Sequence, residues 1–297
     1  MTCVLVTGGS GFIGQHLVAT LVASGRQTRV LDVRPPGRTV ANAQYIKGSV
    51  LDRELVDQAL DGVDEVYHLA GLPGMWVARK DDFHAVNYRG TEVVISAARK
   101  RGIARLLHCS TESILFRSSP AGEAGVEDTL LTADDMPGPY TRSKLLAERL
   151  AMEAAASGFP VVIGSPTMPI GPHDHNLTPP TAMLRHFLGK RFQFYLDFVL
   201  NLVDVRDLEG RLRALGADGA DGVELDELAN LVQRRLGEEH LERRGVLLHD
   251  GRHVDRLAQQ HVLPALGLAE GHHARRDAGP VDEAHVPALL ELVIEGH

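Results

Sequence analysis

Apolar residues over the first two-thirds of the chain come in two spacings that take turns. "CVLV" (3–6) is a short, continuous, β-branched run that stops at glycines, as a strand buried on both faces would. "FIGQHLVATLVASG" then sets Ile13, Leu17 and Leu21 about one helical turn apart and ends on Gly25, a residue suited to closing a helix. The alternation repeats. "TRVLDV" (28–33) predicts a second strand, "PPG" (35–37) a turn, "AQYIKGS" a third strand and "RELVDQAL" a helix. "EVYHLAG" (65–71) predicts a fourth strand, "NYRGTEVVISAARKRG" a helix and "ARLLHCST" (104–111) a fifth strand. "PYTRSKLLAERLAMEAAASG" (139–158) reads as a long helix and "FPVVIGSP" (159–166) as a sixth strand. Pairs of this kind, about 30 residues each, predict an α/β fold: a Rossmann-type doubly wound parallel sheet.

The pattern changes at "NLVDVRDLEG" (201–210). From Gly210 to His297 there is no Phe, Tyr, Trp, Ser, Thr, Lys, Met or Cys. "VELDELANLVQRRL" (223–236) and "VDRLAQQHVLPAL" have helical spacing, yet 88 residues without an aromatic side chain make a poor core. The organisation expected is a dinucleotide-binding and catalytic domain over 1–208 and an atypical C-terminal segment over 209–297, helical or poorly ordered. Residues of ten types (Phe, Ser, Thr, Tyr, Cys, Trp, Met, Lys, Ile, Asn) number 62 in 1–208, but in 210–297 only two, Asn230 and Ile294. Codons for those ten types begin with A or T; every other type in the tail has codons beginning with G or C. That bias fits a displaced reading frame or an inverted segment, not a native substrate lobe.

The chain has 297 residues, 44% apolar and 24% charged, a globular composition. A net charge of −8 argues against nucleic acid or an anionic membrane as the main partner. Cys3 and Cys109 sit in apolar runs as buried thiols do, which fits a reducing, cytoplasmic setting. No apolar run approaches a membrane span.

"VTGGSGFIG" (6–14) puts Gly8, Gly11 and Gly14 between the first strand and first helix. A tight turn there needs residues without Cβ, and the helix N-terminus offers free N–H groups to a pyrophosphate. Asp32, at the end of the second strand, can accept hydrogen bonds from ribose hydroxyls and repel a 2′-phosphate. That favours NAD, with Arg34 keeping NADP open.

Tyr140 and Lys144 are four apart on a predicted helix and so share a face. An ammonium beside a phenol is expected to lower its pKa and make it a proton carrier at a carbonyl or carbinol oxygen. Ser110 and Thr111, at the end of the fifth strand, face the crevice where such sheets bind ligands. His173, Asp174 and His175 lack the further ligands a metal needs, so no metal is expected.

The glycine turn, "HLAG" (68–71), "NYRGT" (87–91), "HCST" and "YTRSK" resemble the extended short-chain dehydrogenase/reductase family over residues 1 to about 208. "DDMPGPYTRSKLLAE", "SPTMPIGPHD" and "NLVDVRD" look most like its dihydroflavonol-reductase-like and hopanoid-associated sugar-epimerase branch. The resemblance implies Tyr140 as general acid/base, with Lys144 and Thr111 as its catalytic partners and Asn87 as a structural residue. It implies NAD or NADP held by Gly8, Gly11, Phe12, Ile13, Gly14, Asp32, Val50, Leu69, Ala70, Asn87, Tyr140, Lys144 and Pro166. Ser49 stands where relatives carry Asp beside the adenine. The implied activity is hydride transfer at a hydroxyl or carbonyl carbon of a small alcohol, ketone or sugar, as reductase or epimerase, in a chain that can form a homodimer. The alternative is a catalytically impaired dinucleotide-binding protein without a native substrate lobe. A dehydratase would need an acid–base pair beside Thr111, and Glu112 is the one candidate. "LPGMW" (72–76), with Trp76, and "PTMPIGPHDHNLTPPTAML" (166–184) are the expected substrate walls.

The gene tests the reading of the tail. Third-position GC content is expected to drop beyond codon 208. Third-position GC as high as in the preceding codons would refute displacement.

Overall fold

The structure is a computed structural model that describes residues 2–74, 77–115, 131–189 and 201–218. Met75, Trp76 and the helices expected at 223–236 and 254–266 lie outside the described residues. These residues fall into two compact units, 2–167 with 206–218, and 168–205.

The first unit is built on six strands: β1 (Cys3–Thr7), β2 (Gln27–Asp32), β3 (Ala43–Lys47), β4 (Glu65–His68), β5 (Arg105–Cys109) and β6 (Val161–Gly164). All neighbours pair in parallel in the order β3-β2-β1-β4-β5-β6. This is the doubly wound order, whose direction of winding reverses between β1 and β4 and opens a crevice at their C-terminal ends. The crossovers are α1 (Phe12–Ala23), α2 (Arg53–Ala59), a helix running from Asp81 to Lys100, and α5 (Pro139–Ala156). The Asp81–Lys100 helix starts six residues before the sequence reading and is not uniform. It comprises α3 (Asp81–Phe83), a π-helical segment (His84–Arg89) and α4 (Gly90–Lys100).

One sheet face carries Leu5, Leu31, Val66 and Leu106 into a core with Val93, Val94 and Ala98 of α4 and Ala151 and Ala154 of α5. The small residues Ala147, Ala151 and Ala154 recur at helical spacing and let α5 lie close to its neighbours. Pro139 opens α5, where its missing N–H costs nothing, and the Thr141 hydroxyl bridges the Gly138 N–H and carbonyl.

The opposite face is covered in part by α7 (Val205–Asp218). Leu208 and Leu212 are buried, and a Cβ on Gly216 would fall 2.3 Å from the Tyr67 ring. The Tyr67 hydroxyl donates to the Arg213 carbonyl at 3.2 Å, and Arg105 donates to the Gly216 carbonyl at 3.1 Å. Burial pushes the Tyr67 phenol up to about 12, so it stays a donor. The helix therefore passes through the 208/209 boundary without a break, with core contacts continuing to Gly216.

The second unit pairs β7 (Met168–Ile170) with β8 (Leu202–Asp204) in parallel and adds α6 (Pro179–Leu188).

Inside the first unit a polar chain crosses the core. The Ala70 N–H meets the Thr7 hydroxyl at 3.4 Å, and that hydroxyl lies 2.7 Å from His68 Nδ1. His68 Nε2 lies 2.9 Å from the Thr91 hydroxyl, which donates to the Asn87 carbonyl at 2.6 Å. Since Thr91 spends its proton on Asn87, it must accept from His68. The ring is then the neutral Nε2–H form, and Thr7 donates to Nδ1. The Asn87 side chain continues outward: its amide donates to the Ser143 hydroxyl at 3.0 Å, and Ser143 donates to the Tyr140 carbonyl at 2.7 Å. Strand β1, strand β4, the π-helical segment and α5 are thereby tied together.

Two outcomes follow. Leu212→Ala is expected to cost about 2–4 kcal/mol, read as a lowered urea midpoint. An unchanged midpoint would mean α7 is no part of the folded core. The second concerns pH. Burial first, and the Lys144 charge second, depress His68 to about 3 and hold His108 well below the imidazole range. An unfolded histidine takes a proton near pH 6.5 while the folded ring does not. Stability is thus full above about 6.5 and is lost as pH falls, by about 1.4 kcal/mol per unit for each such ring. His68→Gln, which cannot ionise, is expected to flatten that dependence in urea titrations across pH 4–7.

Candidate functional site

The turn after β1 is shaped by what a side chain would strike. Gly8 has φ +73°, and a Cβ there would lie 2.6 Å from the Ala70 nitrogen. Gly14 would place one 2.3 Å from the Gly8 carbonyl. The missing side chains let the ends of β1 and β4 approach at the reversal of winding and let α1 start against the turn. Phe12, buried, packs edge-on against the His16 ring at 5.9 Å, while Ile13 is half-buried. The Ser10 hydroxyl is buried with no partner among the described residues.

Asp32, at the end of β2, faces this turn. Its two oxygens accept from the Ser10 and Arg34 backbone N–H groups, each at 3.0 Å, so the carboxylate orientation is fixed. Gly9, outside the sequence reading, is also tightly placed: its Cβ would meet the Val30 side chain at 2.8 Å. Val50 is buried against Gly90, whose Cβ would lie 2.7 Å from it. Ser49 accepts from the Leu51 N–H at 3.2 Å, and Asp52 caps α2 through the Leu55 N–H at 3.0 Å. The Asp52 carboxylate therefore has a helix-capping task. Leu69 donates from its backbone to the Thr7 carbonyl at 3.0 Å, and Pro166 accepts from Glu112 at 3.1 Å. Asn87 grips Leu72 through both backbone groups, at 2.7 and 3.2 Å, fixing the chain after β4.

Thr111, Tyr140 and Lys144 are brought together at the C-terminal end of β5. The Thr111 and Ser113 side chains act on the Tyr140 phenol to favour its ionised form, and its ring meets the Phe83 ring edge-on at 5.8 Å. Lys144 is buried and donates to the Cys109 carbonyl at 2.7 Å. The electrostatics differ from the sequence expectation. Burial raises the Tyr140 phenol, and the Thr111 and Ser113 side chains offset only part of that. The Lys144 ammonium is committed to the Cys109 carbonyl, and burial lowers its own pKa. The tyrosine is therefore held protonated. Ser110, the alternative to Thr111, is buried with its hydroxyl lacking a partner among the described residues.

Sequence reasoning missed Ser113, which no spacing rule singles out, and Ser143, which stands within the quoted "YTRSK". In the second unit His173 and His175 flank Asp174, whose carboxylate accepts from the Thr178 N–H and hydroxyl at 2.8 and 2.6 Å. Asp174 thus anchors the start of α6. Among the described residues no group of three or more His, Cys, Asp or Glu side chains is placed to hold a metal ion. No helix among them is long and apolar enough to cross a membrane.

The chain has relatives. Over 209 residues the chain is 32% identical to a putative dihydroflavonol 4-reductase of Synechocystis sp., covering 69% of this chain and 60% of that one. It is 32% identical over 228 residues to a 2-alkyl-3-oxoalkanoate reductase of Stenotrophomonas maltophilia, covering 76% and 62%. The chain thus spans about three-fifths of the length of these relatives. The solved structure of MoeE5 in complex with UDP-glucose and NAD superposes with a TM-score of 0.58 at 27% identity, covering 78% of this chain and 81% of that one. The description of the NAD dependent epimerase/dehydratase family matches residues 4–193. With well over half its length so matched, the chain belongs to that family, the extended short-chain dehydrogenase/reductase type that its glycine turn and Tyr140/Lys144 pair announce.

Proposed function

We propose that the chain catalyses hydride transfer between a nicotinamide dinucleotide and a hydroxyl- or carbonyl-bearing carbon of a small alcohol, ketone or sugar. The observation that carries this reading is Tyr140 and Lys144 one turn apart on α5, with Lys144 bonded to the Cys109 carbonyl at the end of β5, two residues before Thr111. The residues at the β1 turn fit a dinucleotide. Gly8, Gly11 and Gly14 keep the turn free of side chains where pyrophosphate would meet the α1 N-terminus, and the orphaned Ser10 hydroxyl offers a further donor. Asp32 keeps lone pairs free after its two backbone bonds, enough to accept from ribose hydroxyls. Its charge disfavours a 2′-phosphate, which supports NAD over NADP. Phe12, Ile13, Val50, Leu69, Ala70, Asn87 and Pro166 line or shape the same end of the sheet in this reading.

The bound nicotinamide would supply or accept the hydride. Tyr140, held protonated, gives its proton to the substrate oxygen as the carbonyl carbon is reduced, and takes it back in the reverse direction. Thr111 orients that oxygen. Lys144 has two further N–H donors after its bond to the Cys109 carbonyl, and its charge stabilises the phenolate once formed. A phenol raised above its ordinary range starts as an acid, which favours the carbonyl-reducing direction. The relatives' names include reductases, and that points the same way.

Two measurements test this. Tyr140→Phe is expected to lower NADH-dependent turnover across a panel of ketones, aldehydes and nucleotide sugars by 10²- to 10⁴-fold, with NADH affinity by fluorescence titration unchanged. Turnover that survives in the variant would remove Tyr140 from the mechanism. For Asp32→Ser, the ratio of NADPH to NADH dissociation constants is expected to fall about tenfold or more. An unchanged ratio would separate Asp32 from cofactor choice.

A further inference from the structure

Both amide hydrogens of Asn87 are committed. One goes to the Leu72 carbonyl at 3.2 Å and the other to the Ser143 hydroxyl at 3.0 Å, while the side-chain oxygen accepts from the Leu72 N–H at 2.7 Å. Turning the amide over would set its NH₂ group against the Leu72 N–H, so the side chain has one orientation. Its oxygen is also closely approached: a Cβ on Gly71 would lie 3.1 Å away. Ser143 is buried, and its hydroxyl takes the next step by donating to the Tyr140 carbonyl at 2.7 Å. A serine hydroxyl that bonds back to its own helix has other orientations open to it. The Asn87 amide holds it in this one. Two buried side chains thus join the backbone of the loop after β4 to the backbone of the residue that carries the phenol.

Leu72 opens the stretch expected to form a substrate wall, and Tyr140 is the proton carrier in the mechanism above. We propose that Ser143 is a positioning residue: it passes the placement of the loop after β4 to the Tyr140 phenol, so that substrate wall and proton donor stay in step. This rests on the reading that Tyr140 moves the proton. Ser143 itself touches no reacting atom, and no covalent bond to it forms or breaks. A second hold on Tyr140 comes from the same stretch of helix. The Phe83 ring, four residues before Asn87, meets the Tyr140 ring edge-on at 5.8 Å. That contact limits where the ring can swing but makes no hydrogen bond to the loop. The ring is steadied by Phe83, then, while the backbone beneath it is set through Ser143. Small errors in such placement cost rate without costing cofactor affinity, because proton transfer needs the donor within hydrogen-bond reach of the substrate oxygen.

The experiment uses the clearance at Gly71. Its backbone lies outside the left-handed region, so alanine fits the chain, but the added Cβ presses on the Asn87 oxygen, which must give by a few tenths of an ångström. The Tyr140 ring resonances are followed by NMR in the full chain with labelled tyrosine, and Tyr140→Phe assigns them. Gly71→Ala is expected to shift them by more than a line width. Added to Ser143→Ala, the same substitution leaves them where Ser143→Ala alone puts them. Added to Ser143→Thr, which keeps a hydroxyl able to bond back to the helix, it shifts them again. Equal shifts with and without the Ser143 hydroxyl, no shift in either, or a shift that Ser143→Thr fails to restore overturns the proposal. A second measurement does not depend on Gly71→Ala folding. Ser143→Ala is expected to lower kcat about tenfold on the same panel of ketones, aldehydes and nucleotide sugars, with the NADH dissociation constant unchanged. An unchanged kcat overturns the proposal too. Failure of the wider reading shows separately, as turnover that survives in Tyr140→Phe while the NMR shifts stand.

Discussion

His68 can satisfy both of its neighbours in one state only, the neutral ring with its proton on Nε2. That single proton placement sets the direction of every hydrogen bond from the Ala70 amide to the Asn87 carbonyl. Through the Asn87 side chain and Ser143 the same chain reaches the backbone of Tyr140. The strand that leads into the glycine turn and the helix that carries the phenol are thus fixed relative to each other by buried polar contacts. Apolar packing alone would hold α5 against the sheet without setting its rotation or its position along the strands. Burying so many polar groups is tolerable because each of these atoms has a partner.

His108 stands directly across from His68 in the β4–β5 register, with ring centroids 5.5 Å apart. Its two nitrogens lack partners among the described residues. Two imidazoles side by side, beneath a buried lysine, cannot both carry charge. Both rings therefore stay neutral, held so first by burial and then by the Lys144 charge.

Much of this was readable from residue order. The strand runs, the glycine turn, Asp32 and the Tyr140/Lys144 spacing rest on local periodicity and on residue types with few substitutes, and the structure puts each in its expected element. What escaped the sequence depends on geometry without periodicity. The π-helical segment changes the hydrogen-bond step and leaves the apolar spacing nearly intact. Ser113 gains its place from a single 3₁₀ turn. The raised Tyr140 phenol follows from its burial, which spacing cannot tell. The boundary at 208/209 rested on composition, and composition is blind to Leu212 and Gly216. Both are residue types common in the tail, and both are packed tightly onto β4 and β6.

The π-helical segment has a consequence for how this chain can change over time. A π turn holds one residue more than an α turn, so His84–Arg89 amounts to an insertion retained inside a helix. Losing that residue would restore an ordinary helix but rotate everything before it by about 100° relative to everything after. Phe83, which meets the Tyr140 ring, and Thr91, which meets His68, would then no longer face the same interior. A change of length along this stretch therefore cannot be absorbed locally. The alignment of the site is stored there as a residue count.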